Sequence, residues 1–479
     1  MLTPEDALAL YHAGPEAVVG ALCGLSLEVD QLGQRVKELE GQLATNSRNS
    51  SKPPSSDGPK KPKPRSLRPR GERKPGGQKG HPGRTLKMAE HPDHTVVHRV
   101  DRCERCRASL ADQEPERVEK RQVFDLPPPA PIESTEHQAE VKACPTCGHV
   151  NKAAFPEGLR APAQYGPRIK AMAVYLRQYQ LLPSERTCEL LRDLFSCELS
   201  EGTLANITES AHDLLDEPVA QIAQQLKAAP VVSFDETGSS VLGQRWWLHV
   251  ASTPQLTYYQ VHPRRGSQAM DDIGILPDFT GRAVHDSWAP YFRYDCDHSL
   301  CNAHHLRELT FVHEQHGQSW AKAMIDCLLA IKQAVDHARS TTDHLPQEQI
   351  RQFEARYQQA LDQGYAQNPL PPPPGKPKRG RPKKTKPRNL LERLDRHRAQ
   401  ALAFMYDFNV PFDNNQGERD ARMAKVQQKI SGTFRSEAGA GAFYRIRSYI
   451  STVRKHALNV IEAILGVFVR KAFVPPAPD

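Results

Sequence analysis

Leu22, Leu25, Val29, Leu32, Val36, Leu39 and Leu43 alternate in steps of three and four, which predicts a helix with a single apolar seam. Arg35 and Glu40 flank that seam where charges pair between two helices. The segment therefore reads as a coiled coil joining copies of the chain into a homo-oligomer; an amphipathic helix docked on its own protein is the competing reading. Gly33 and Gly41 weaken the helix. The apolar pattern then stops, because Asn46–Asp57 holds no apolar residue beyond proline and cannot bury enough surface to order itself. It resumes near His91. Arg121–Leu126 and Ile132–Lys142 alternate enough to be strands, with a turn at Pro127-Pro128-Pro129 between them.

Residues 165–229 read as helices. Pro183-Ser184 opens one that runs through Leu190, Leu191 and Leu194, Phe195–Leu199 makes a turn, and Ser200 is placed to cap a helix at Glu201–Ile207. This is helix-turn-helix spacing, which a plain helical hairpin in a core shares. At Pro230 the period changes to that of strands: Val231–Asp235, Arg245–Ser252 and Leu256–Val261, with turns at Gly238, Gly243 and Thr253-Pro254. A short helix at Ser267–Ile275, a strand at Arg282–His285, a helix at Pro290–Tyr294 and a strand near Leu300 follow. Residues 305–365 are helical and charged, helix returns at Leu390–Met405, and a final helix spans Ala442–Phe473. Ile446, Ile450, Val453, Leu458, Ile461 and Leu465 mark its buried stripe. Three antiparallel strands followed by alternating helix and strand predict a layered α/β or α+β domain.

Charge sharpens this map. Residues 58–88 carry eleven basic residues against Glu72 alone, and residues 375–388 carry eight and no acid. These segments contribute +10 and +8, so with a whole-chain charge of +8 the remainder is 8 − 18 = −10. Positive charge concentrated in Pro-rich, core-poor segments suits arms that hold a polyanion such as DNA. Within the second run, Arg379-Gly380-Arg381 has the core of an AT-hook, in which two arginines lie in a narrow minor groove; a basic linker is the competing reading. No run of apolar residues is long enough to span a membrane and no secretory signal is visible. A cytoplasmic, nucleoid-associated protein is expected, and its ten cysteines are not read as a disulfide framework.

Four of those cysteines form two CxxC knuckles, Cys103 with Cys106 and Cys144 with Cys147. Two knuckles joined by a hairpin supply four thiolates, the arrangement of a structural Zn²⁺ site. Cys301 and His304 also suggest a metal beside Cys296 and His298, but residues so closely spaced can equally pack a strand-to-helix corner.

Asp235 and Asp286 each close an apolar run, Val231–Phe234 and Ala283–His285. A carboxylate at the end of a central strand packs poorly but can hold a hard cation. If both strands share a sheet, the two acids converge as two-metal phosphoryl transfer requires, with Mg²⁺ or Mn²⁺ as the ion. A strand-end Asp that merely caps a turn is the competing reading. A third ligand is expected within Val410–Asp420, where Asn414 or Asn415 can cap a helix carrying Glu418 in its first turn. Arg419, Arg422, Lys425, Lys429 and Arg435 follow as candidate DNA contacts. Spacing alone leaves Asp413, Asp420 and Glu437 open beside Glu418.

Several longer motifs resemble the insertion-sequence sixty-six family of bacterial transposases, over nearly the whole chain. They are Asn46–Asp57, Gly76–Gly83, the two CxxC pairs, Tyr165–Thr203, Val232–Thr237, His285–Tyr291, Cys301–His304, Val410–Arg419 and Lys429–Ser436. The resemblance implies a ribonuclease-H-like catalytic fold with a helical insertion between the second Asp and the Glu. It also implies DDE chemistry, with hydrolysis at element ends followed by strand transfer, and Asp235, Asp286 and Glu418 as metal ligands. The chain departs from the family's usual pattern in having Gly417 in place of Ala and Lys79 in place of Pro. Small companion proteins are implied by the family alone. The expected organisation is a coiled-coil helix (1–46), a disordered basic linker (47–90), a zinc-binding unit (91–152), a helical region (153–229) and the catalytic domain (230–479), with its insertion at about 306–412. A DNA-binding accessory protein with inert acids, and a nuclease of similar fold without strand transfer, are the alternatives.

Overall fold

The N-terminal seam forms a helical hairpin, α1 (Pro4–His12) and α2 (Pro15–Leu43), in the computed structural model, which describes residues 3–46, 48–50, 86–126, 131–370 and 384–476. Thr3 caps α1 in a reciprocal capping box with Asp6. The seam residues Leu22, Leu25, Val29, Leu32, Val36, Leu39 and Leu43 are all exposed. The C-terminal end of the hairpin touches the rest of the molecule through Arg48, whose guanidinium donates to both carboxylate oxygens of Glu314 at 2.6 and 2.7 Å.

Residues 86–126 and 131–165 are largely extended and exposed. They contain one short hairpin, β1 (Val141–Ala143) with β2 (Val150–Lys152), around the second CxxC pair. The strands expected at Arg121–Leu126 and over most of Ile132–Lys142 do not form. Alternation stabilises a strand only where one face is buried, and Val123 and Leu126 are almost fully exposed.

Four helices come next: α3 (Pro167–Val174), extended by a wider turn at Tyr175–Tyr179, then α4 (Ser184–Phe195), α5 (Glu201–Leu214) and α6 (Asp216–Ala228). The turn ahead of α5 is built as its residues predict: Ser196 adopts φ 51° at the end of α4, and the Ser200 hydroxyl accepts the Thr203 N–H at 3.1 Å. Leu204, Ile207 and Ala211 of α5 are buried, in one core with α3, α6 and the C-terminal helices. Its exposed side holds Glu201 and Glu209, while α4 exposes Arg186 and Arg192.

The central sheet has five strands: β3 (Val231–Val241), β4 (Gln244–Ser252), β5 (Thr257–His262), β6 (Arg282–His285) and β7 (Asp297–Leu300), with α7 (Ser267–Ile273) between β5 and β6. Their spatial order is β5-β4-β3-β6-β7. The first three are antiparallel, and β6 and β7 add in parallel to β3. β3 runs on past the turn expected at Gly238, which pairs with Trp247; the hairpin turn is Leu242-Gly243, both at positive φ. Residues 289–293 form a 3₁₀ turn.

Beyond β7 the chain leaves the sheet as α8 (Asn302–His316), α9 (Ser319–Ala338), α10 (Gln347–Gln367), α11 (Lys386–Arg396), α12 (Arg398–Ala401) and α13 (Ala403–Tyr406). They bury their own core around Trp320, Leu328, Tyr357 and Leu391. The single helix expected at Leu390–Met405 is thus three short ones. The end of the basic run is also less free than expected: Lys384 and Arg388 both bind Glu392, at 2.5 and 2.9 Å.

The chain then returns to the sheet as α14 (Asn415–Ser431), α15 (Glu437–Lys455) and α16 (Val460–Phe468). The expected last helix is broken between α15 and α16, with Ala457 at φ 56° and the Asn459 side chain accepting the N–H groups of Ile461 and Glu462. The break shifts the buried stripe to Val460, Ile464 and Val467 and leaves Leu458 exposed. The Asx cap overrides the continuing apolar periodicity. Among the described residues, no helix is long and apolar enough to cross a membrane.

Candidate active site

β3 and β6 pair in parallel as Val231 with Arg282, Val232 with Ala283 and Ser233 with Val284. Two residues further on, the same register sets Asp235 level with Asp286. β6 has ended there, while β3 continues along β4. The start of α14 closes on this point. A Cβ on Gly417 would lie 3.2 Å from the Asp235 Cβ, so the helix backbone is in contact with the strand. Asn414 ties the three segments: its side-chain amide donates to the Phe234 carbonyl at 2.7 Å, and its backbone N–H donates to Cys301 Sγ at 3.1 Å, at the head of α8.

Glu418, one turn into α14, faces the same place. Its Oε2 is 3.8 Å from the Arg307 guanidinium and its Oε1 3.9 Å from His304 Nε2. Oε1 is buried without a hydrogen-bond partner. The Asp235 carboxyl is held well above the ordinary carboxylate range, chiefly by burial and then by the charges of Glu236, Glu418 and Asp286. Asp286 keeps one fixed hydrogen bond, accepting the Trp288 N–H at 3.0 Å. A buried acid repelled by its neighbours, with an unpaired buried oxygen on Glu418 nearby, suits a hard divalent cation, although among the described residues the three carboxylates do not gather within 4.8 Å of one another.

Of the other acids near Glu418, Asp420 is already engaged. Asp420 accepts from Lys455 at 2.8 Å and from Gln416 at 3.0 Å. Asp413 accepts the Asn415 N–H at 3.1 Å at the helix start, and Glu437 is exposed in the first turn of α15. Arg422, Lys425 and Lys429 follow Glu418 in steps of four, three and four, on one exposed face of α14. Lys425 donates to the Gly238 carbonyl. Its ammonium is pushed down by burial and by Arg245, an exposed β4 residue that the sequence reading missed and that extends the row. Arg419, bonded to Gln416, and Arg435 are also exposed. Arg379 and Arg381 lie outside the described residues.

Glu236 was missed as well. As the next residue on β3 it points to the opposite sheet face. There it accepts the Tyr291 O–H at 2.5 Å and the Arg265 guanidinium at 2.9 Å, and its side chain is 2% exposed. Arg265 lies 4.0 Å from the Trp288 ring centre and 5.0 Å from that of Trp247. Burial raises Glu236 to about 7 in spite of these partners. The alternation of strand residues was the available signal: a second acid next to Asp235 on the strand must find partners on the other face.

The two CxxC pairs fold alike. The carbonyls of Cys103 and Cys144 accept the N–H groups of Arg107 (φ 62°) and Gly148 (φ 73°), at 2.9 and 2.8 Å. Each first thiol is lowered from its ordinary value, Cys103 chiefly by the N–H groups of Cys106 and Arg105 and Cys144 by those of Cys147 and Thr146. Each pair therefore suits a cation. The four sulfurs do not gather: among the described residues, the three-ligand group whose atoms lie within 4.8 Å of one another is Cys301, His304 and Glu418. Cys296 and His298 take no part in it. His298 pairs with His285 at 3.0 Å, and Cys296 packs against the core.

Acids converging at one sheet end, reached by an exposed row of cations, are the build of a DNA-processing enzyme. A model of the Transposase IS66 family matches residues 162–442, more than half the chain, and the chain belongs to that family. A model of a family of unknown function (DUF6444) matches residues 8–87. No curated protein matches the chain.

Proposed function

We propose that the chain is a DDE-type transposase that cuts DNA at the ends of a bacterial insertion sequence and joins them to a target. The observation that carries this reading is the placement of Asp235 and Asp286 level with each other on β3 and after β6, with the first turn of α14 packed on Asp235 and an unpaired buried oxygen on Glu418. The strand order β5-β4-β3-β6-β7, antiparallel and then parallel, supports the ribonuclease-H-like fold implied by the family, with α8–α13 as the insertion. Asp235, Asp286 and Glu418 would hold Mg²⁺ or Mn²⁺, which supplies activation of a water or 3′-hydroxyl and stabilises the leaving oxygen. Arg307 and His304 restrain the Glu418 carboxylate, and Asn414 holds α14 against β3. Arg245, Arg422, Lys425 and Lys429 bind the DNA backbone.

Two further assignments accompany this one. Cys103, Cys106, Cys144 and Cys147 would hold a structural Zn²⁺ once the two knuckles are drawn together, a reading supported by their matching turns. The exposed seam of α2 pairs with a second copy, a reading supported by the exposure of Leu22, Leu25, Val29, Leu32, Val36, Leu39 and Leu43.

The test is incubation of the full chain with duplex carrying the element's terminal repeats and Mg²⁺ or Mn²⁺. Cleavage and joining are expected. Asp235→Asn, Asp286→Asn and Glu418→Gln should each lose both while still binding the duplex. Normal cutting by Asp235→Asn would overturn the assignment.

A further inference from the structure

Cys301, His304 and Glu418 stand together although 114 residues separate His304 from Glu418 (418 − 304). Cys301 caps α8 and His304 lies one turn on, where its N–H donates to the Cys301 carbonyl at 3.1 Å. The Cys301 side chain is buried at the foot of the group. Two polar atoms in the group have no partner: Glu418 Oε1 and His304 Nδ1 are both buried and unbonded. His304 Nε2 and Glu418 Oε1, at 3.9 Å, are too far apart for a hydrogen bond. They are near the separation of roughly 3.3 Å that two ligands have across a tetrahedral ion with bonds of about 2.0–2.1 Å.

The donor set differs from that of the three carboxylates. A thiolate and an imidazole select a borderline or soft ion and disfavour Mg²⁺, which prefers oxygen. Three protein ligands also leave a fourth position for water. We propose that Cys301, His304 and Glu418 form a second metal site, of Zn²⁺ type, that shares Glu418 with the carboxylate group and excludes the working metal when filled. As the ion binds, the Cys301 thiol gives its proton to water and the sulfur takes its place in the coordination shell. Glu418 Oε1 is then drawn toward His304 and away from Asp235. Zinc uptake stands on this geometry alone; the loss of cleavage rests on reading Glu418 as the third catalytic carboxylate.

The experiment is equilibrium dialysis of the full chain against Zn²⁺, with bound metal counted per chain, for wild type, Cys301→Ser and His304→Ala. Serine can still accept the Asn414 N–H, and matched circular dichroism spectra establish that the variants fold. Wild type should bind one more equivalent than either variant. With Co²⁺ in place of Zn²⁺, the thiolate charge-transfer absorption should fall by one cysteine's share in Cys301→Ser. Equal metal counts in all three proteins would overturn the site. In Mg²⁺, added Zn²⁺ should suppress DNA cleavage by wild type and spare Cys301→Ser. A lost equivalent with inhibition unchanged would overturn the sharing of Glu418, whereas cleavage by Asp235→Asn would overturn the functional assignment and leave the zinc count standing.

Discussion

Asp235 and Glu236 are adjacent on β3 and sit on opposite faces of one sheet. Glu236 is enclosed by donors, Tyr291 and Arg265, and Arg265 is itself stacked between Trp247 and Trp288. Asp235 faces acids: after burial, the charges of Glu236, Glu418 and Asp286 push its carboxyl toward the protonated form. Burial is common to both. A buried acid whose oxygens are satisfied is part of the framework, and one repelled by its own kind is where the proposed metal would act.

Several measurements would break or sharpen that contrast. The largest effect is expected for Asp235→Asn. On the proposed assignment Asp235 is a ligand of the working metal, and removing it costs about 4 kcal/mol of transition-state stabilisation, roughly a thousandfold in cleavage rate. The same change should raise the unfolding free energy without metal, because it removes a buried, repelled charge. Divalent cation should stabilise wild type and leave the variant unmoved. A variant that is both inactive and markedly less stable would make Asp235 structural.

Glu236→Ala should act with the opposite sign on stability, costing about 1–3 kcal/mol in denaturant unfolding by leaving the buried Tyr291 hydroxyl without its acceptor. The pH dependence follows from the same residue. Its folded value near 7 lies above the ordinary 4.5 of an unfolded glutamate. Its contribution is therefore complete below about 4.5 and is lost as pH rises through 7. Wild type should lose stability across that window by an amount that Glu236→Gln does not. Identical pH profiles would mean that Glu236 stays ionised in its pair with Arg265.

The smallest effect concerns the surface. Replacing Arg422, Lys425 and Lys429 together by Ala should weaken DNA binding and reduce the slope of log affinity against log salt by about 2–3. An unchanged slope would remove α14 from the DNA path.

The seam of α2, the helices α4 and α5, and the strand at Arg282–His285 were legible in the sequence, because period, cap and strand end are local. So were Asp235 and Asp286, as acids closing apolar runs, and the family motif singled out Glu418. What the tertiary structure decided is who faces whom. Lys455 claims Asp420, which spacing could not separate from Glu418. Asn414 carries α14 back to β3 across the whole helical insertion, and so brings Cys301 and His304 to Glu418. Asn459 ends a helix that the apolar stripe would have continued. The physical reason is the same each time. Local sequence sets which way a side chain can point, whereas its neighbours across the fold depend on register and packing between segments far apart in the chain.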